Sequence, residues 1–208
     1  MPDAPVPVPP APRFRTGAGR ICLDFMRTLR LRGAADATEE LDTPGALTAW
    51  VAQLGPYPDG TAVPAPAEEV LHRARAVREA VHALLTAARS PAGPGGCPAD
   101  ERRLLNEAAA AAPPVPVLDA DGTVTYTAAD PVGAVLADIA RDALALATSP
   151  ALDRVRACSG THCAAWFLDT SRPGNRRWCS METCGNQAKK STWRTRHASA
   201  HGTAAPNA

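Results

Sequence analysis

The chain has 208 residues, of which 45% are apolar and 4% aromatic, and its formal net charge is +1. This length accommodates one mid-sized domain and a small appendage, and the scarcity of aromatic residues favours close-packed helices over an aromatic-rich β-sandwich. The sequence has no run of 18 apolar residues, so no membrane contact is expected. The amino-terminal stretch lacks the basic and apolar regions of a secretory signal, which predicts a cytoplasmic protein with reduced thiols.

Charge is divided unevenly along the chain. Residues 158–208 hold seven of the 22 Lys and Arg residues but two of the 21 Asp and Glu residues, which gives this end a net charge of +5 and leaves −4 on residues 1–157. An acidic body with a basic end is typical of a nucleic-acid-binding appendage on another domain. A merely solvated basic tail is the alternative that charge alone leaves open.

Helical periodicity dominates the sequence between a Pro-rich lead at 1–13, which is expected to be disordered, and about residue 150. Residues 20–29 form a mainly apolar run that predicts a strand leading into a helix. Thr43 and Pro44 have the residue types of an N-cap and a first helical position, and Asp130-Pro131 repeats this pattern. The helices predicted by apolar spacing cover residues 44–54, 67–89, 98–111 and 131–147.

The remaining features of this region concern one turn and three side chains. Residues 115–127 change to a period of two around an Asp-Gly turn, which predicts a short β-hairpin. Cys22 lies in an apolar run and is expected to be buried, whereas Cys97 lies in a Gly/Pro-rich loop and is expected to be exposed. Arg78 falls outside the apolar stripe of its predicted helix.

Four cysteines near the end of the chain form two pairs. Cys158 and Cys163, then Cys179 and Cys184, are each spaced C-x4-C, with 15 residues between the pairs. Two close thiol pairs can converge on one tetrahedral ion, as in a structural zinc site. Disulfides and ligation by His162 are the alternatives. Four thiolates leave no coordination position for water, so one structural zinc ion and no enzymatic activity are expected.

The segment around the cysteines predicts a short β-ribbon followed by a helix that opens at Cys184, which is a treble-clef-like order. The predicted fold class is therefore mainly α (α+β), a helical domain over 14–150 with a short β-hairpin, plus a C-terminal treble-clef-like four-cysteine zinc finger over 151–198. A disordered tail is expected over 199–208. The side chains expected to pack beside the metal, with base stacking as the alternative, are Trp166, Phe167 and Trp178.

The stretch from Cys158 to Gln187 resembles the CGNR zinc finger of bacterial predicted transcription regulators. Ahead of it, Cys22-Leu23-Asp24-Phe25 resembles the start of the ABATE domain that usually precedes this finger, so the resemblance covers roughly 14–197. It implies zinc binding, DNA binding and a stress-linked regulatory role. The matching segments of the finger are the paired cysteines, Phe167-Leu168-Asp169, Ser171-Arg172, Arg176-Arg177-Trp178-Cys179-Ser180-Met181 and Cys184-Gly185-Asn186.

Two positions depart from the family pattern. Gln187 stands where the family has its signature Arg, which removes one cation from the start of the expected DNA-facing helix. Arg27 stands where the family has an Asn, close to Asp24. Asp24 and Arg27 form a candidate ligand-binding pair, for which a capping or ion-pair role is the alternative.

The helix after Cys184 is predicted to carry the nucleic-acid contacts. Asn and Gln side chains can read adenine, while Lys and Arg hold phosphates. The expected partners are DNA, a small-molecule effector sensed by the helical domain and a second copy of the chain; a zinc-stabilised RNA-binding or protein-interaction module is the alternative. The residues expected to contact nucleic acid are Arg172, Arg176, Arg177, Asn186, Gln187, Lys189, Lys190, Trp193, Arg194 and Arg196.

Overall fold

The computed structural model describes residues 14–161 and 163–201, with side-chain surroundings up to residue 194 apart from residue 192. The predicted lead at 1–13, the candidate ligand His162 and residues 202–208 of the predicted tail lie outside the described residues. Within the described part of the chain, no helix is both long and apolar enough to cross a membrane.

Five helices build the helical domain. The predicted helices are confirmed with ends shifted by about one residue. α3, α4 and α5 pack against one another, and α1 lies across α3 and α5. All five helices contribute fully buried side chains to the core, where the rings of Phe25 and Trp50 make an edge contact with centroids 4.9 Å apart. The helices are α1 Ile21–Met26, α2 Pro44–Leu54, α3 Glu68–Ala88, α4 Ala99–Ala110 and α5 Pro131–Ala147.

Two helix starts follow directly from local sequence. Thr43 Oγ1 accepts a hydrogen bond from the Ala46 amide at 3.1 Å, and Asp130 Oδ1 accepts one from the Gly133 amide at 3.0 Å. Each cap is followed by a proline, whose missing N–H costs nothing at the first helical position. Both predicted caps are confirmed.

The order predicted for residues 20–29 is wrong, because the helix α1 comes first and the strand β1 (Leu29–Arg30) follows it. The apolar side chains of this run are buried at helical rather than alternating spacing. β1 pairs antiparallel with β2 (Thr38–Glu39), which carries the Glu39 carboxylate.

Arg78 of α3 is 3% exposed, so its predicted position outside the apolar stripe is corrected. Its two terminal nitrogens each lie 2.6 Å from an oxygen of the Glu39 carboxylate on β2. A bidentate partner allows a guanidinium to be buried. Burial alone would raise the pKa of Glu39, but the hydrogen bonds and charge of Arg78 lower it.

The predicted hairpin is confirmed, whereas the predicted exposure of Cys97 is wrong. Strands β3 (Val115–Leu118) and β4 (Val124–Thr127) pair antiparallel across the Asp-Gly turn. Cys97 is 3% exposed, because the Gly-rich loop before it forms a 3-10 turn at Pro94–Gly96 that packs against α3.

The finger follows a 3-10 turn at Pro150–Arg154 and has the predicted order of ribbon, then helix. β5 (Val155–Ala157) pairs antiparallel with β6 (Trp166–Leu168). A π-helical turn at Met181–Gly185 then leads into α6 (Asn186–His201), which begins two residues after Cys184 and extends three residues beyond the predicted end of the finger.

Candidate metal centre

The four cysteines of the two C-x4-C pairs converge on one point. Cys158 follows β5, Cys163 and Cys179 lie in the loops on either side of β6, and Cys184 lies in the π-helical turn. Their sulfur atoms all lie within 4.8 Å of one another and all four residues are buried. The Sγ–Sγ distances are 3.5 Å from Cys163 to Cys179 and 3.7 Å from Cys179 to Cys184. A tetrahedral zinc ion with Zn–S bonds of 2.3 Å requires sulfurs about 3.8 Å apart, so the cluster fits a single ion of this kind.

The surroundings of the sulfurs favour negative charge at the cluster. The amides of Gly160 and Cys179 each approach Cys158 Sγ to 3.4 Å. The hydrogen bond from the Cys179 thiol lowers the pKa of Cys163 to about 4, and the same pairing raises the pKa of Cys179. One thiolate therefore forms readily, while each further thiolate costs free energy that a bound cation offsets.

A cation from the helical domain reaches the cluster. Arg27 follows α1, is 6% exposed and places its Nη2 3.8 Å from Cys179 Sγ. Its Nη1 donates to the Thr16 carbonyl at 3.0 Å and lies 3.3 Å from Asp24 Oδ1, while its Nε is buried without a hydrogen-bond partner among the described residues. Asp24 also accepts a hydrogen bond from the Ala18 amide at 2.9 Å, and burial raises its pKa. The candidate ligand pair thus takes the ion-pair arrangement, with the guanidinium directed at a cysteine.

The finger is docked on the helical domain by its second strand. The Leu168 amide donates to the Ala18 carbonyl at 2.7 Å. Half-buried Trp166 contacts the His82 ring of α3 at a centroid distance of 5.5 Å, and the Arg89 guanidinium lies 4.7 Å from its ring centroid. Of the three aromatic residues expected beside the metal, Phe167 is fully buried, and Trp166 and Trp178 are both half-buried.

A buried carboxylate at the end of the Phe167-Leu168-Asp169 segment organises the loop before the third cysteine. Asp169 Oδ1 accepts hydrogen bonds from the Ser171 amide at 2.9 Å and the Ser171 hydroxyl at 2.6 Å, and Oδ2 accepts one from the Arg176 amide at 2.8 Å. The bonds from Ser171 lower the pKa of Asp169 to about 2. The Asp-Thr-Ser sequence, which is typical of Asx turns, was the available signal.

The three arginines predicted to contact nucleic acid from this loop have different surroundings. Arg172 and Arg177 are exposed. The Arg176 guanidinium is turned inward, where it donates to the Cys179 carbonyl at 2.9 Å and lies 5.0 Å from the Phe167 ring centroid. Arg176 therefore holds the cysteine loop together in this structure.

The predicted contacts on α6 are brought to the surface beside the cluster. Trp193 is 60% exposed and borders one shallow hollow together with Lys189, Lys190 and Arg194. Asn186 and Gln187 are exposed at the start of the helix, where the Asn186 amide donates to the Glu182 carbonyl at 3.0 Å. The Arg196 side chain lies outside the described residues.

The structure is that of a two-domain protein, in which a helical domain is followed by a four-cysteine, metal-binding finger. Residues 19–150 match the ABATE family, "Putative stress-induced transcription regulator", and residues 154–197 match the CGNR zinc finger. The chain therefore belongs to the ABATE family and carries a C-terminal CGNR zinc finger, which confirms the resemblance found in the sequence. No curated protein matches the chain.

Proposed function

We propose that this protein is a zinc-dependent, DNA-binding regulator located in the cytoplasm. The observation that carries the proposal is the cluster of Lys189, Lys190, Trp193 and Arg194 on the exposed face of α6, immediately after the fourth cysteine. An exposed helix with concentrated positive charge is the usual means of holding a phosphate backbone.

One zinc ion bound by the four cysteines has a structural role in this proposal. Zinc binding supplies on the order of 10 kcal/mol to the folding of such modules, which lack a sufficient core of their own. Four thiolates complete a tetrahedral shell and leave no position for a substrate or a water molecule. The site is therefore suited to building a binding surface, and we assign the protein no enzymatic activity.

The dimensions of α6 suit the major groove of DNA. Its 16 residues span about 24 Å at 1.5 Å per residue, and a groove about 12 Å wide admits one helix. Lys189, Lys190 and Arg194 supply phosphate contacts, while Asn186 and Gln187 are the candidates for reading base edges. Arg172 and Arg177, exposed on the loop before Cys179, extend the phosphate contacts.

The test uses the zinc-loaded full chain and selection from a random pool of DNA duplexes. We expect one enriched motif that is lost after chelation of the metal. The double variant Lys189→Gln/Lys190→Gln should bind that motif more weakly and reduce the slope of log K against log salt by about 1.8, because each phosphate contact contributes about 0.9. The control is Arg103→Gln on α4, whose side chain is 64% exposed and pairs with Asp100 and Glu107. Binding that is motif-free or independent of salt contradicts the proposal.

A second candidate is binding of single-stranded RNA, and the exposure of Trp193 favours it. An indole ring beside three cations is suited to stacking on an unpaired base, and such stacking contributes about 1–3 kcal/mol per base. Preference for an unpaired RNA over duplex DNA, with loss on Trp193→Ala, would select this candidate. An effector bound by the helical domain and a homodimer are further proposed partners.

A further inference from the structure

The junction between the helical domain and the finger forms a cleft of about 490 Å³ that borders the cysteine cluster at Cys184. Arg15 and Arg30 of the helical domain line one side, and Lys190 and Arg194 of α6 line the other. A volume of this size lies within the range of small-molecule sites in proteins. Four cations from segments more than 150 residues apart in sequence therefore share one cavity.

The charge of this cleft is only partly offset. Among the described residues that line it there is no carboxylate and no aromatic ring. Outside the lining, Glu40 lies 3.6 Å from Arg30 Nε, and burial raises its pKa against the opposing charges of Arg30 and Arg15. Glu40 and a zinc ion bound by four thiolates, whose formal charge is −2, together offset about three of the four positive charges, so the cavity retains a smaller positive potential that favours an anion.

The uncharged groups of the cleft narrow the chemistry of its ligand. Thr161 and Thr183 bring hydroxyl groups and Gln187 brings an amide, all of which can donate to oxygen atoms. The lack of an aromatic floor among the described lining residues disfavours a stacked base or an apolar body. The complement of this lining is a compact anion with several acceptor oxygens.

We propose that the cleft binds phosphate groups and that the bound phosphate links the helical domain to the finger. The phosphate belongs either to a small phosphorylated molecule or to the backbone of the nucleic acid held by α6. The second source rests on the proposed function, because Lys190 and Arg194 also belong to the α6 surface. Binding of a small phosphorylated molecule does not depend on the proposed function. Such a molecule in the cleft would compete with DNA for Lys190 and Arg194.

The first arm of the test measures binding of inorganic pyrophosphate to the zinc-loaded full chain by titration calorimetry, at ionic strength fixed with chloride. A soluble ligand predicts saturable binding that weakens at least tenfold in Arg15→Gln/Arg30→Gln and in Arg194→Gln. The last variant changes the opposite wall on an exposed helix, so it separates loss of binding from misfolding of the helical domain. Arg103→Gln should bind as the wild type does.

The second arm measures the salt dependence of DNA binding by the same proteins. A backbone phosphate in the cleft predicts that Arg15→Gln/Arg30→Gln reduces the slope of log K against log salt by about 1.8. The proposal is overturned when wild-type protein fails to bind pyrophosphate and this double variant keeps the wild-type slope. The Lys189→Gln/Lys190→Gln result reports on the proposed function separately, and pyrophosphate binding still tests the cleft if the chain binds no DNA.

Discussion

Replacement of Arg27 by Gln removes the cation that the helical domain places against the cysteine cluster. Two unit charges 3.8 Å apart, the distance from Arg27 Nη2 to Cys179 Sγ, interact by about 4 kcal/mol at an effective dielectric constant of 20. A bound metal ion withdraws much of the sulfur charge, so only part of this energy is expected. Loss of an outer-shell partner typically weakens metal binding about 10- to 100-fold. We expect Arg27→Gln to lower zinc affinity by this factor.

The assay is competition with a chromogenic chelator, which gives both the zinc dissociation constant and the rate of zinc release. Arg27→Lys keeps the charge but not the planar set of donors, so its zinc affinity should fall between those of the wild type and Arg27→Gln. Asp24→Asn removes the carboxylate beside the guanidinium without touching a sulfur. Asp24→Asn should lower the thermal stability of the protein, while its zinc affinity should fall less than that of Arg27→Gln.

A role for Arg27 in zinc binding is refuted if Arg27→Gln is folded by circular dichroism and releases zinc at the wild-type rate. It is also refuted if Asp24→Asn and Arg27→Gln weaken zinc binding equally, because the effect would then arise from packing of the junction. Arg103→Gln on α4, whose exposed side chain pairs with Asp100, serves as the matched control for loss of one arginine.

Three further predictions concern the junction between the domains, the cysteine loop and the core of the helical domain. Gly19→Ala places a side chain at a φ of +88° and brings its Cβ to 3.1 Å from Leu168 Cβ of the finger, whereas Gly17→Ala at φ +87° meets open space. We expect backbone strain to lower the free energy of unfolding by about 1–2 kcal/mol in each variant. Gly19→Ala should be the less stable of the two in thermal unfolding, because only its new methyl group meets the finger. Asp169→Asn should speed zinc release, because a carboxylate that orders the loop before the third cysteine is lost; an unchanged release rate contradicts this. Arg78→Met should lower the free energy of unfolding by about 3–5 kcal/mol, since Glu39 keeps a half-buried charge. The lowered pKa of Glu39 means that its contribution is complete above about pH 4.3 and is lost as the pH falls through the folded-state pKa, so the Arg78→Met deficit narrows in acid denaturation series.

The cysteine cluster, the helix caps and the hairpin could be predicted because their signals are local. The spacing of the four cysteines limits how they can converge, and Thr43 caps a helix whose amides lie within three residues of it. The same locality explains why the start of α6 was misplaced by only two residues.

The surroundings of Arg27 and Arg78 could not be predicted because they depend on segments distant in the chain. Arg78 becomes buried only when β2 brings Glu39 beside it, 39 residues away in sequence. Arg27 meets a cysteine 152 residues later. No periodicity within one helix contains this information, because a charged residue is rarely fully buried unless it is paired, and its partner lies outside that helix.

The separation between Arg27 and Cys179 also sets the order in which the molecule can be completed during synthesis. At about 5–20 residues per second, roughly 8–30 s pass between the appearance of the arginine and that of its sulfur partner. Until then the helical domain holds a guanidinium that lacks one of its contacts. A truncated chain that ends before Cys179 keeps this deficit permanently, so incomplete products are less stable than finished ones and are more readily cleared by proteases.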